Sequence, residues 1–134
     1  MGGRGGRDMG VKALDFFATD LQDLYRAAKA LAKRRGGVLT PHHMLLALLE
    51  IYELECPIKE KLQTFLDRRF GRARSAKVRI PKETQEVFVK ALEVAKASGS
   101  DFARIEHFIE ACKEVGLEGV SKAELSPVSY THLR

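Results

Sequence analysis

The chain has 134 residues, enough for one domain that buries a modest apolar core without a disulfide or a structural metal. No apolar run approaches the roughly 20 residues that cross a bilayer, and the N-terminus lacks the apolar stretch of a signal peptide, so the sequence reads as cytoplasmic with no membrane partner. The formal charge of +5 raises a nucleic-acid partner, but part of it lies at the ends, where Arg4, Arg7 and Arg134 outweigh Asp8. Cys56 and Cys112 stand alone, without the spacing of a zinc site, and read as core-filling thiols of a reducing compartment.

In chain order, Met1 to Gly10 is half glycine and has no side chains to offset the entropy of ordering it, so a disordered tail is expected. From Leu14 to Leu31, apolar residues fall at Leu14, Phe17, Leu21, Leu24, Ala28 and Leu31, the steps of three and four that bury one helix face. This predicts one long helix closed by Gly36-Gly37. Thr40-Pro41 predicts the next start, an N-cap followed by proline at the first helical position, with a stop near Cys56-Pro57. A third helix carries Ile58, Leu62, Phe65 and Leu66. Gly71 to Arg79 has no helical period and reads as a basic linker. Pro81 opens a fourth helix that ends at Gly99, and a shorter one runs from about Arg104 to Gly116. No segment alternates with period two, so no sheet is expected.

Sliding the chain against itself by 64 positions pairs Ala27 with Ala91, His43 with His107 and Ala47 with Ala111, and lays long helix, glycine break and short helix on their counterparts. The segment AAKALAKRRGGVLTPHHMLLALLE resembles the first Clp N-terminal repeat: an alanine-rich helix, a turn, then Thr-Glu-His-Leu-Leu-Leu-Ala-Leu-Leu. Thr40, His43, Leu45, Leu46, Ala47, Leu48 and Leu49 match it. The segment IPKETQEVFVKALEVAKASGSDFARIEHFIEAC resembles the second repeat, with Ile105-Glu106-His107 at the corresponding turn. His42 stands where the family usually has glutamate, and Arg104 stands where Thr40 caps the first repeat.

The resemblance implies an all-α fold, a double repeat of short helical bundles. It implies the substrate- or adaptor-docking N-terminal domain of a Clp-type ATP-dependent unfoldase. Its partners would be unfolded proteins or an adaptor, an AAA+ module would follow in the same chain, and the domain would have neither catalysis nor a cofactor of its own. A related branch, in type VI secretion, grips a helix of the contracted sheath. The expected layout is a tail at 1–10 and a Clp N-like domain at 11–117, made of repeat one (11–69), a basic linker (70–80) and repeat two (81–117). The start of a linker (118–127) and a terminal stretch (128–134) follow. That stretch, Val128 to Arg134, reads as a translated transposase mosaic-end adapter, so the natural chain is expected to continue past Ser126.

Few residues suggest chemistry. His43 and His107 could ligate a metal, but each starts a helix without a second ligand at useful spacing, which favours a buried ring whose N–H bonds the neighbouring turn. Phe16, beside the inward Phe17, either turns outward toward a partner or packs under the C-terminal part. Glu106 is either a carboxylate that holds a cationic group, as the resemblance allows, or a solvated first-turn residue favouring the helix dipole. The densest basic cluster, Arg68, Arg69, Arg72, Arg74, Lys77 and Arg79, is either a solvated linker or a polyanion site for nucleic acid or an acidic protein. With one aromatic among them, Phe70, and no recognition helix, the nucleic-acid reading is disfavoured.

Overall fold

The computed structural model describes residues 13–54, 56–71, 74–126 and 128; the expected tail at 1–10 and positions 129–134 lie outside them. Among the described residues, six helices of four residues or more follow one another: α1 Thr19–Lys33, α2 Pro41–Ile51, α3 Pro57–Phe70, α4 Lys82–Ala97, α5 Ile105–Val115 and α6 Lys122–Leu125. Among the described residues there is no strand, only isolated bridges, and no helix is long and apolar enough to cross a membrane. The fold is all-α, as the periodicity predicts.

The duplication is visible in the helix boundaries. Pro41 and Ile105 begin α2 and α5, Ile51 and Val115 end them, and both pairs are 64 residues apart. α4 repeats α1 at nearly the same offset. α6, capped by Ser121, starts where the counterpart of α3 belongs. Residues 118–126 of the segment 118–127, expected to open a linker, are therefore folded: Val120 and Leu125 are buried, and Lys61 of α3 pairs with Glu124. Val128, the first residue of the adapter-like stretch, is buried too, its N–H bonded to the Leu125 carbonyl at 2.9 Å.

The first helix is broken where one continuous helix is expected. Residues 13–15 form a helical turn, and the chain then extends through Phe17 before α1 begins at Thr19. The break exists because this backbone is pledged elsewhere: Ala103 N–H donates to the Phe16 carbonyl at 2.8 Å and Ala18 N–H to the Ala103 carbonyl at 2.7 Å. A second tie mirrors the first, with Leu39 N–H on the Arg79 carbonyl (2.9 Å) and Arg79 N–H on the Gly37 carbonyl (2.8 Å). Each tie joins the residues before one repeat's long helix to those before the other repeat's short helix. Between them lies the aromatic core, with Phe88 edge-on to Phe17 at 5.3 Å and to Tyr25 at 6.1 Å and tilted against Phe108 at 6.4 Å.

α2 also ends earlier than proline would force. Glu53 takes φ 52, which lets the Leu54 N–H reach the Leu49 carbonyl and close the helix at Ile51, several residues before Pro57. The described part of the basic connector is tied to the domain: Ser75 N–H bonds the Lys33 carbonyl, and Val78 and Ile80 pack on the core.

The two repeat histidines cap their own helices. His43 Nδ1 accepts from the Thr40 N–H at 3.1 Å and meets the Thr40 hydroxyl at 2.9 Å, while that hydroxyl oxygen accepts from the His43 N–H. This is a capping box with histidine in the place of glutamate. His107 Nδ1 accepts from the Arg104 N–H at 2.9 Å, half of the same box, since arginine offers no acceptor. The sequence expectation of a buried ring holds, but the ring nitrogen accepts rather than donates.

Two predictions follow from this packing. Burial, with His42 and Arg35 nearby, lowers the His43 pKa to about 4, so the folded state refuses a proton that the unfolded chain binds below about 6.5. Stability is thus full above pH 6.5 and falls as the pH drops toward 4, by about 2 kcal/mol between pH 7 and 5 from this group. Urea titrations should show that loss, and His43→Gln, which keeps an acceptor and removes the titration, should flatten it. At Gly37 (φ +73) an added Cβ would lie 2.5 Å from the Ser75 Cβ and 2.9 Å from the Lys77 carbonyl, whereas Gly99 (φ +82) faces open space. Gly99→Ala should cost about 1 kcal/mol and Gly37→Ala about 3 kcal/mol in the same denaturation assay.

Candidate functional site

The tie at Phe17 and Ala103 decides where an apolar groove opens. In extended chain, neighbouring side chains point to opposite sides, so Phe17 enters the core at 1% exposure while Phe16 stands out at 51%. On the partner segment Ala103 is buried and Phe102 is 50% exposed. Phe16, Phe102, Leu92, Ala95, Lys96, Ser100 and Asp101 line a cavity of about 490 Å³ between this tie and the end of α4. The loop carrying Phe102 is held by Gly99 at positive φ, by Ser100 N–H on the Ala95 carbonyl, and by the Ser100 hydroxyl on the Phe102 carbonyl. Phe16 therefore faces outward rather than packing under the C-terminal part. Phe102 was missed, although an aromatic inside the polar turn Ser98-Gly99-Ser100-Asp101 serves no helical core period.

Glu106 is half-buried in the first turn of α5, outside the lining of this groove. The carboxylate that reaches the α5 start is Asp20, whose Oδ2 accepts from the Ile105 N–H at 3.4 Å; its buried Oδ1 meets no donor among the described residues. His42, at the family's glutamate position, is buried, and its Nδ1 meets no partner among the described residues. Its ring stacks on Phe65 at 4.0 Å and its Nε2 donates to the Glu118 carbonyl at 2.8 Å; burial holds its pKa below the ordinary value. Cys112 is buried, where desolvation pushes its thiol far up; Cys56 is half-buried before α3.

The basic cluster does not form one strip. Arg69 pairs with Glu118 at 3.0 Å, and with Arg68 it borders a cavity shared with Glu60, Lys61 and Glu118. Lys77 and Arg79 border a different cavity, against α1. Arg74 is exposed between the two, and Arg72 lies outside the described residues.

Compared with family models and with curated proteins, the sequence has no match. Solved structures do match. One is the N-terminal domain (1-163) of ClpV1 ATPase from E. coli EAEC Sci1 T6SS, with a TM-score of 0.68 and 19% identity over 94% of this chain and 91% of that one. The fold is that of a Clp N-terminal domain. Another structure, named for a peptide from the EAEC T6SS Sci1 SciI protein, gives a TM-score of 0.69 and 20% identity over 92% of each chain. At that identity the likeness speaks for the Clp N-domain fold alone. The repeat residues of the sequence resemblance sit accordingly: Thr40 caps α2, His43 closes its box, His107 makes half of the second, and Leu45, Leu46, Ala47, Leu48 and Leu49 are all buried.

The groove residues should be dispensable for folding. Phe16→Ala should change stability by no more than about 0.5 kcal/mol, whereas Phe17→Ala one residue on should cost about 3 kcal/mol or more, both read from chemical denaturation.

Proposed function

We propose that this chain is the substrate- or adaptor-docking N-terminal domain of a Clp-type ATP-dependent unfoldase. In this reading it contributes binding, and the ATP chemistry belongs to an AAA+ module of the same polypeptide. The observation that carries the reading is the Phe16–Phe102 groove: two half-exposed phenylalanines flank an apolar trough whose walls are pinned by backbone hydrogen bonds. Soluble surfaces rarely hold paired aromatics open to water, and a preformed apolar trough suits the apolar face of a helix or an unfolded segment. Lys96 and Asp101 at its edge oppose each other in charge, so affinity comes from buried apolar area rather than from net attraction.

Within that reading, the sheath-gripping branch is favoured, because the two solved structures named above come from a type VI secretion system and one is named for a peptide of another of its proteins. The occupant would then be a helix of a sheath subunit. A nucleic-acid role through Arg68 to Arg79 has less support, since Arg68 and Arg69 border one cavity, Lys77 and Arg79 another, and Arg69 is paired with Glu118.

Fluorescence anisotropy with a neutral amphipathic peptide of Leu, Ala and Gln tests the groove. Binding should weaken about tenfold or more in Phe16→Ala and in Phe102→Ala, and it should survive about 0.5 M salt. Affinity unchanged by both substitutions, or abolished by the salt, would rule out an apolar docking groove at this place.

A further inference from the structure

The pseudo-symmetry that makes the Phe16–Phe102 groove makes a second one at the other tie. Arg79 holds the place of Phe16, since its carbonyl accepts from Leu39 as that of Phe16 accepts from Ala103. Residues 36–38 hold the place of 100–102. A cavity of about 700 Å³ opens there, with buried or half-buried Leu14, Tyr25, Val78 and Ile80 in its lining. Its chemistry differs from that of its twin. Lys29, Lys77 and Arg79 stand exposed in it, and among the described residues no carboxylate lines it or forms an ion pair with these three cations. Lys29 lies 5.9 Å over the Tyr25 ring, which keeps its charge at the groove.

We infer that this second groove is a separate docking site for an acidic, apolar peptide segment of a partner protein. Its carboxylates would meet Lys29, Lys77 and Arg79, and its apolar side chains would cover Leu14, Val78 and Ile80. The charge is complementary to such a segment alone: the chain's own Met1 to Gly10 carries Arg4 and Arg7 against Asp8 and would be repelled. The apolar lining favours a peptide over a nucleic acid, for which Tyr25 is the single aromatic surface and is itself buried. The inference does not rest on the docking role of the first groove, which uses other residues and another chemistry.

The test is a ¹⁵N–¹H NMR titration of the full chain with a peptide alternating Leu and Glu, beside a Leu–Lys peptide and oligothymidylate as controls. The Leu–Glu peptide should move the amides of Val38, Lys77, Val78 and Ile80 and bind more weakly as salt rises. The double variant Lys77→Glu, Arg79→Glu should lose about tenfold or more in affinity, while Phe16→Ala should lose nothing. Arg79 makes its tie through backbone atoms, so the double variant should fold; if circular dichroism shows otherwise, the shift map of the unaltered chain decides. Shifts confined to the Phe16–Phe102 groove, equal binding of the Leu–Lys peptide, tighter binding of oligothymidylate, or no binding at all would each overturn the inference.

Discussion

The structure depends on a crossed pair of backbone ties. Four hydrogen bonds, between Phe16–Ala18 and Ala103 and between Gly37–Leu39 and Arg79, join the lead-in of each long helix to the lead-in of the other repeat's short helix. Neither repeat can complete its helix starts alone. Each tie is backed by a side chain from the first turn of the adjoining long helix: Asp20 of α1 accepts from the Ile105 N–H, and the buried Thr84 hydroxyl of α4 donates to the Leu39 carbonyl at 2.8 Å. Gln22 and Gln85 repeat the pattern, each donating to the carbonyl five residues before it, Phe17 and Ile80. Buried polar groups matched in this way are costly to lose, which makes the domain one cooperative unit rather than two stacked hairpins.

What could be read in the sequence follows from what is local. The apolar period of α4 and α5, the Thr40-Pro41 start and the glycine stops depend on side chains within one or two turns, and they come out where expected. The break before α1 does not. Leu14, Phe17 and Leu21 keep a helical period across it, and only a bond to Ala103, far along the chain, shows that the backbone there is extended. Phe16 is exposed, as helical spacing also suggests, but the cause is the two-residue alternation of extended chain. The segment 118–127 looked like a linker because its apolar residues are few; Val120 and Leu125 count only beside α3, which supplies the surface they bury. Phe102 was hidden for the complementary reason, since an exposed residue leaves no period.

Charge shows the same limit. Six cations with no acid between them look like a polyanion strip on paper. In space the α3 end of the run meets an acid from elsewhere, where Arg69 finds Glu118. Exposed pairs of this kind add little stability, but they cancel the local field that a polyanion would need. Among the described residues the far end of the run, Lys77 and Arg79, forms no ion pair, and it gains a cation from α1, Lys29, that sequence order keeps far away.

The two grooves show why a duplicated domain can diverge in binding without risk to its fold. The equivalent bonds are made by the Phe16 and Arg79 carbonyls, at 2.8 and 2.9 Å, and any residue has a carbonyl. The backbone holds the walls, so the side chains beside the ties are free to be phenylalanine in one groove and arginine in the other. A site whose walls are already fixed loses little conformational entropy when a ligand arrives, so even a modest area of contact leaves a surplus for binding. The same fixity confines each groove to side-chain chemistry: changing Phe16 or Arg79 alters the surface the groove offers, whereas a proline at Ala103, whose N–H makes the first tie, would remove the groove and the helix start together.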